Sequence, residues 1–479
     1  MTIRRSPRFR RSSWFVRASA GVAVAAGLVA SARDASAQEW LKDRRYQEGA
    51  GIRTGDFELH PGIAGEIGYD SNWLLRTHET RQPPFANADP REAGVLRLTP
   101  SLSVATLGPQ RLEDGTIAPP PRLQFRGGAD LTYREFIGVE EIRKQRNASG
   151  NAYVTFDVNS GRPIGFGVFA NYRRLIQPSV VADPNLSFNR SDVRAGGELV
   201  LQPGSGTLDL RFGYQFYGAL FEESNGVPFT NLTHDITVKN RWRFRPRTAL
   251  FHDTSLRFIT YPNSDRAVQQ LNNSTPLRTR VGLNGLLTPR FGTLLAVGYG
   301  GSFYEGGTAL STQQYDSING QAEGTFYLSG NPGSAEPGQV SLLLSSITLG
   351  FNRDFQNSLL GNFYTSNKGY GRVVYFFGGR ALLQGDVFFE AMSFPPIFLN
   401  NGPGAPPTQA IGDFTNFRYG GTLFGEYRFT DSFGVNTTLD YVEVASDTVI
   451  PLGGPAGGPA DFHMAYRRFQ AFLGARFFL

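Results

Sequence analysis

The sequence predicts an all-β fold, a transmembrane antiparallel up-and-down β-barrel of about 18 strands, on three observations. Runs of alternating apolar and polar residues recur from about residue 56 to the end. The connections between them alternate between short and long. The final run places Phe469, Ala471, Leu473, Ala475, Phe477 and Leu479 on one face of an extended strand, with Arg468, Gln470 and Arg476 on the other.

The N-terminus is basic, with Arg4, Arg5, Arg8, Arg10, Arg11 and Arg17. It continues into an apolar stretch, Ala18 to Ala30, too short to span a bilayer, and Ala35-Ser36-Ala37 offers small residues for cleavage. Residues 1–37 are therefore expected to be a signal peptide removed near Ala37, 38–55 a periplasmic N-terminal segment and 56–479 the barrel. Arg10-Arg11 also raises the twin-arginine route, but the residues after it fit poorly and a barrel must cross the inner membrane unfolded. The chain holds 47 basic and 41 acidic residues; without the seven Arg and one Asp of residues 1–37, 40 of each remain. The mature protein is thus close to neutral, and the basic balance gives no support for a nucleic-acid partner. An absence of cysteine suits a chain that waits unfolded in an oxidising compartment. No later segment has 18 consecutive apolar residues, so no transmembrane helix is expected.

The alternation is explicit in individual runs. Leu208, Leu210, Phe212, Tyr214 and Phe216 oppose Asp209, Arg211, Gly213 and Gln215; Leu123, Phe125, Leu131 and Tyr133 oppose Gln124, Arg126, Asp130 and Arg134. Leu232, Ile236, Val238, Trp242 and Phe244 oppose Asp235, Lys239, Arg241 and Arg243, and the same pattern returns over 417–429 and 433–441. The charged side cannot face lipid, where an Arg or Lys at mid-depth costs about 2–4 kcal/mol, so it must face a lumen. Short turns are expected near 160–163, 203–206, 245–248, 288–290, 378–380 and 430–432. Longer loops are expected around 77–91, 138–147, 177–190, 221–230, 261–276, 305–314, 354–366, 393–413 and 446–462, and two stretched Pro/Gly-rich connections, 108–121 and 329–339, fall on the short side. An even strand count puts both termini in the periplasm, with the long loops extracellular.

Short turns recur every 42 to 51 residues, close to the repeat of a β-propeller, but a propeller needs four short strands per period where this chain has two long ones. Tyr69, Trp73, Tyr133, Tyr172, Trp242, Tyr299 and Tyr427 lie near strand ends, where an interfacial aromatic girdle is expected. Five histidines are available for catalysis, yet His234-Asp235 and His252-Asp253 are sequence neighbours and point to opposite faces of a strand, so no dyad forms. No enzyme activity, no metal site and no cofactor is expected.

The predicted lumen-lining set is Arg126, Asp130, Arg134, Arg194, Glu198, Asp209, Arg211, Lys239, Arg241, Arg243, Glu323, Arg418, Glu426, Arg428, Asp440, Arg468 and Arg476. Opposed arginines and carboxylates make a polar wall suited to hydrated solutes, or else pair across strands to hold the barrel's shape. Tyr153, Tyr217, Tyr327 and Phe424 project inward by the same alternation and could stack on sugar rings.

The closing alternation, Phe469 to Leu479, resembles the C-terminal strand by which outer-membrane barrels are read by the barrel assembly machinery, although the last residue is Leu479 rather than Phe. The stretch 51–61, followed by Gly68-Tyr-Asp-Ser-Asn72, resembles the opening of a porin family found in exopolysaccharide gene clusters. Arg353-Asp-Phe-Gln-Asn-Ser358 with Gly361-Asn-Phe-Tyr364, and Tyr427-Arg-Phe-Thr-Asp431, are similar to it as well. That resemblance implies a conduit in the Gram-negative outer membrane, embedded in its lipid, serving exopolysaccharide secretion with a periplasmic export protein as partner. It carries over no catalytic residues. Alternatives are a general diffusion porin, or a structural or lipid-modifying barrel plugged by a loop such as 393–413.

Overall fold

The computed structural model describes residues 51–81, 85, 87–107, 121–177, 188–204, 206–222, 229–263, 272–305, 314–328, 345–358, 362–377, 380–399, 408–451 and 461–479. The expected signal peptide and the two stretched short-side connections lie outside them.

β1 (Ile52–Thr54) folds back on the start of β2 (Phe57–Asp70). The wall continues through β3 (Ala93–Thr106), β4 (Leu123–Ile137), β5 (Asn147–Val158), β6 (Ile164–Leu175), β7 (Arg190–Leu201), β8 (Leu208–Phe221) and β9 (Asn231–Arg245). It then runs through β10 (Thr248–Thr260), β11 (Ser274–Thr288), β12 (Phe291–Tyr304), β13 (Tyr315–Tyr327), β14 (Ser346–Asn357), β15 (Phe363–Phe377) and β16 (Ala381–Phe394). Two hairpins, β17 (Ile397–Leu399) with β18 (Thr408–Ile411) and β21 (Val449–Pro451) with β22 (Asp461–His463), decorate loops. β19 (Phe414–Thr430), β20 (Phe433–Ala445) and β23 (Tyr466–Phe478) complete the wall. Each wall strand pairs antiparallel with the next, and β23 pairs with β2, so 18 strands close on themselves. A single helical turn, α1 (Glu140–Arg143), sits in the loop after β4.

The turn chemistry matches the short end. Asn159 and Gly161 take φ of +56° and +75° between β5 and β6, the left-handed geometry that Asn and Gly adopt most readily. Register shifts at Thr248/Leu250, Leu286/Thr288 and Arg428/Thr430 sit at this same end, where the strands turn over.

Period-two patterning gives the wall two unlike faces. Leu131, Ile236, Val281, Val297, Ile318, Leu349, Val387 and Leu473 are exposed on the convex side, Ile318 and Leu349 by two-thirds of their surface. On the other side, Ala64 of β2 packs against Phe424 of β19, three strands away, a contact that only the concave face permits. An apolar exterior on a closed barrel is the pattern of a lipid-facing wall. Among the described residues no helix is long and apolar enough to cross a membrane. A polar island lies on this exterior. Asn240 and His252 approach at 3.2 Å, and the His252 ring reaches Thr254 and Thr279 at 3.0 and 3.3 Å. Mutual hydrogen bonding is what lets these groups stay on an apolar face.

The seam between β2 and β23 is fastened by Tyr69-Asp-Ser-Asn72. Buried Asp70 accepts from Arg468 Nη2 at 2.5 Å and Gln470 Nε2 at 2.7 Å. The Ser71 backbone N–H donates to the Phe469 carbonyl, and Ser71 Oγ accepts from the Phe469 N–H. Asn72 donates to the carbonyls of Arg76 and Arg467 and accepts from the Arg76 N–H, fixing the first loop against the last strand. Gly68 is required beside them, because a Cβ there would overlap the Phe472 ring and the backbone of β23. The Arg97 guanidinium lies 3.5 Å from the centroid of that ring. Of the C-terminal alternation, Phe469, Leu473 and Phe477 face outward, while Leu479 lies just beyond β23 and is held by the Pro61 carbonyl and the His60 ring.

Candidate functional site

All 17 charged residues projected inward fall on the concave parity of their strands, but they form two different environments. Arg418, Glu426, Arg468 and Arg476 are buried near the seam. There Arg418 meets Glu390 at 3.0 Å, Arg428 meets Glu426 at 2.9 Å, Arg476 pairs with Glu426, and Asp440 accepts from Thr422 at 2.6 Å. Around them Phe424, Phe472 and Phe478 fill space. This half of the interior is packed, and its charges pair across strands to hold shape.

The opposite wall is open. Arg126, Arg194, Lys239, Arg241 and Arg243 are exposed to the interior, with Asp130, Arg134, Glu198, Arg211 and Glu323 half-buried beside them. Asp209 is buried at its foot, accepting from Arg211 Nε at 2.8 Å and Gln202 at 3.0 Å. Asp130 accepts from Asn151 at 3.3 Å, Arg134 donates to Ser149 at 2.7 Å, and Glu323 accepts from Tyr370 at 2.6 Å. Of the inward aromatics, Tyr217 carries the Arg194 guanidinium 5.1 Å from its ring, while Phe424 belongs to the packed half.

Toward the long-loop end the interior narrows. Pairing between β13 and β14 stops at Gly320 and Arg353, so the upper part of β14 leaves the wall. Arg353 caps the freed edge, its Nε donating to the Ile318 carbonyl at 3.2 Å. Beyond it Asp354 meets Arg278 of β11 at 3.1 Å, Phe355 stacks on Tyr315 at 4.2 Å, and Asn357 donates to Ser274 at 2.5 Å. The expectation of a free loop over 354–366 is thereby corrected. β14 runs to Asn357 and β15 starts at Phe363, and the last residues of β14 fold over the inner face of β11–β13 because Phe355 is an apolar residue needing cover.

Above that hairpin lies a feature the alternation did not reveal. Leu75, Phe188, Phe229, Tyr364, Met392, Phe394, Ile450, Phe462 and Met464 form one buried apolar cluster, with Ile411, Phe414 and Tyr261 against it. Phe188 and Phe229 come from loops on the β6–β9 arc, whereas Met392, Phe394 and Met464 come from the β16–β23 arc, half the circumference away. The cluster therefore spans the mouth. Packing of Tyr261 there pushes its phenol up to about 12. Trp73, expected in the girdle, packs inside this end instead, 4.7 Å from Phe136, because Asn72 turns the chain inward. Tyr69, Tyr133, Tyr172, Trp242, Tyr299 and Tyr427 do face outward.

The first and last loops are joined beside this cluster. Asn87 exchanges two hydrogen bonds with the His463 backbone, at 2.8 and 3.1 Å, and the His463 ring accepts from the Ala465 N–H at 3.2 Å. Burial holds the His463 imidazole below its usual range, outweighing the pull of Glu79 and Asp447 in the other direction. Neither His234 nor His252 pairs with the aspartate that follows it in sequence. His234 lies outside, against Tyr214 at 2.7 Å, while Asp235 points inside to Arg257 at 2.9 Å. His252 belongs to the exterior island and Asp253 faces Arg280 within. Among the described residues no group of three or more His, Asp or Glu could hold a metal ion.

Solved structures with a comparable fold include the FrpB iron transporter of Neisseria meningitidis, at 9% identity and a TM-score of 0.41, over 92% of this chain and 83% of that one. OccAB4 of Acinetobacter baumannii matches at 13% and 0.41, over 91% and 100%, and OpdK of Pseudomonas aeruginosa, solved with vanillate, at 10% and 0.41, over 88% and 99%. No family model and no curated protein sequence matches the chain. The barrel assignment rests on the strand pairing of this chain itself.

Proposed function

We propose that the protein is a gated outer-membrane conduit for hydrated polar solutes, with its short turns in the periplasm and its long loops outside. The observation that carries this reading is the combination of an apolar exterior with a half-open ionic interior, closed at one mouth by loops. A barrel of 18 strands is wide enough for a water-filled channel. Here part of that width is taken by the packed seam and the β14–β15 hairpin, which leaves a path along β4–β10. The finer reading is secretion of an exopolysaccharide handed over by a periplasmic export protein. It draws support from the position of the Tyr69-Asp-Ser-Asn72 element at the seam and from inward Tyr153 and Tyr217. It also includes assembly through the β23 alternation, export by the 1–37 segment and a non-catalytic role.

Planar-bilayer recordings of the purified full chain test the conduit. Loosening the plug with Phe229→Ser and Met464→Ser is expected to convert rare openings into frequent, stable single-channel steps. Silence from both the parent and the plug variants, with the barrel intact, sinks the reading. Loss of surface polysaccharide on deletion, restored by the parent gene, separates secretion from general diffusion.

A further inference from the structure

The open wall is not electrically balanced. On β7–β11 every inward carboxylate is engaged. Asp209 is taken by Arg211 and Gln202; Glu198 by Arg211 at 3.1 Å and Lys239 at 3.4 Å; Asp253 by Arg280 at 3.3 Å; and Asp235 by Arg257 and Ser255, both at 2.9 Å. Arg241 and Arg243 are two residues apart on β9 and hence on one face; Asp209 stands opposite Arg241 in register but is held by Arg211 and Gln202, and neither arginine closes a salt bridge among the described residues. Arg241 opens onto a cavity of about 260 Å³ that also presents Arg211, Lys239 and Arg280, against only Asp209 and Asp253. With Glu198 beside Arg211 and Lys239, four cations meet three carboxylates, each already engaged, and Arg241 is the cation left over. The cavity has an apolar side as well. Phe251, directly opposite Arg241 in register, lies against Gly282, where any Cβ would strike its ring. The Arg280 guanidinium is 6.0 Å from the centroid of that ring.

We propose that this cavity is a binding site for small organic oxyanions. The carboxylate or phosphate is gripped by Arg241, with Arg243 as the next step toward the short-turn mouth, and the carbon skeleton rests on Phe251. Two properties favour that ligand over a neutral solute or a cation. A guanidinium fork matches two oxygens of a planar or tetrahedral oxyanion, and uncompensated arginines in a narrow lumen concentrate anions while repelling cations. A ring-bearing acid uses both the charge and the Phe251 face.

This inference deepens the conduit reading by naming a solute class, and its test is an equilibrium measurement that does not require an open pore. The purified chain in detergent is titrated calorimetrically with D-glucuronate, with inorganic phosphate and with D-glucose. Saturable binding of glucuronate or phosphate, weakening at least tenfold in Arg241→Gln/Arg243→Gln and weakening with added salt, is expected; Arg353→Gln, at the splayed edge of β14, leaves it unchanged. Tighter glucuronate assigns the site to sugar acids, and tighter phosphate assigns it to phosphate esters. Should the double variant not assemble, Arg241→Lys alone is expected to bind more weakly, since it keeps the charge and loses the fork. No saturable binding to the parent chain, binding of glucose as strong as that of glucuronate, or indifference to Arg241 overturns the proposal. Binding without conductance in any variant would keep the oxyanion site and remove the conduit.

Discussion

Asp70 and Arg468 are 398 residues apart in sequence and meet at 2.5 Å, both buried, at the joint where the first wall strand meets the last. Their pairing makes closure of the ring selective, because a shift by one residue would turn Asp70 toward lipid and leave Arg468 alone inside.

Asp70→Ala is therefore expected to destabilise the barrel by about 3–5 kcal/mol, the range for removing one partner of a buried ion pair. The temperature at which the folded band is lost in semi-native electrophoresis reports it. An unchanged temperature would show that the seam does not depend on this pair.

Gly68→Val places carbon atoms where the Phe472 ring and the β23 backbone already lie. Poor assembly is the expected outcome, with partial recovery when Phe472→Ala is added, read as the yield of folded barrel in membranes. Equal yields for Gly68→Val with and without the second change would remove the steric explanation.

The apolar plug is held by burial, so shortening its members should open the mouth at modest cost to the wall. Phe394→Ala removes a ring stacked 4.7 Å from Phe414 and 5.1 Å from Tyr364. Several-fold faster entry of large antibiotics into cells is expected, at an unchanged melting temperature of the wall. Leu349→Ala, on the lipid side, serves as the contrast.

His463 gives the mouth a pH dependence. Its imidazole titrates lower in the closed loop than the free value of about 6.5, so the closed form binds fewer protons than an opened one through this interval. The stabilisation is complete above about pH 6.5 and declines as pH falls through the lower, closed-state value. Open probability should thus rise as pH falls below about 6.5, and His463→Gln should flatten that rise. An identical pH profile in the variant would assign the dependence elsewhere.

The wall was legible because the membrane imposes a period of two over the whole length of each strand. Leu208 to Phe216 and Phe469 to Phe477 show it without any tertiary information. The turns were equally readable, since Asn159, Gly161 and Gly204 carry the positive φ values that tight connections demand. The plug was not. Phe188, Phe229 and Met464 stand in loops with no periodic constraint, and their contacts join chain segments hundreds of residues apart. The inward hairpin was masked for a related reason: Phe355 continues the outward parity of Leu349 and Phe351, and only the end of pairing at Arg353 releases it to the inside. Which arginines brace the ring and which stand free was likewise invisible, because Arg468 and Arg241 occupy the same kind of site in their strands and differ only in what lies across from them.

The apolar bridge across the mouth ties together arcs half a circumference apart, so its integrity depends on the roundness of the cylinder that carries it. Lateral stretching of the surrounding bilayer would draw Phe229 away from Met464 without touching either loop directly.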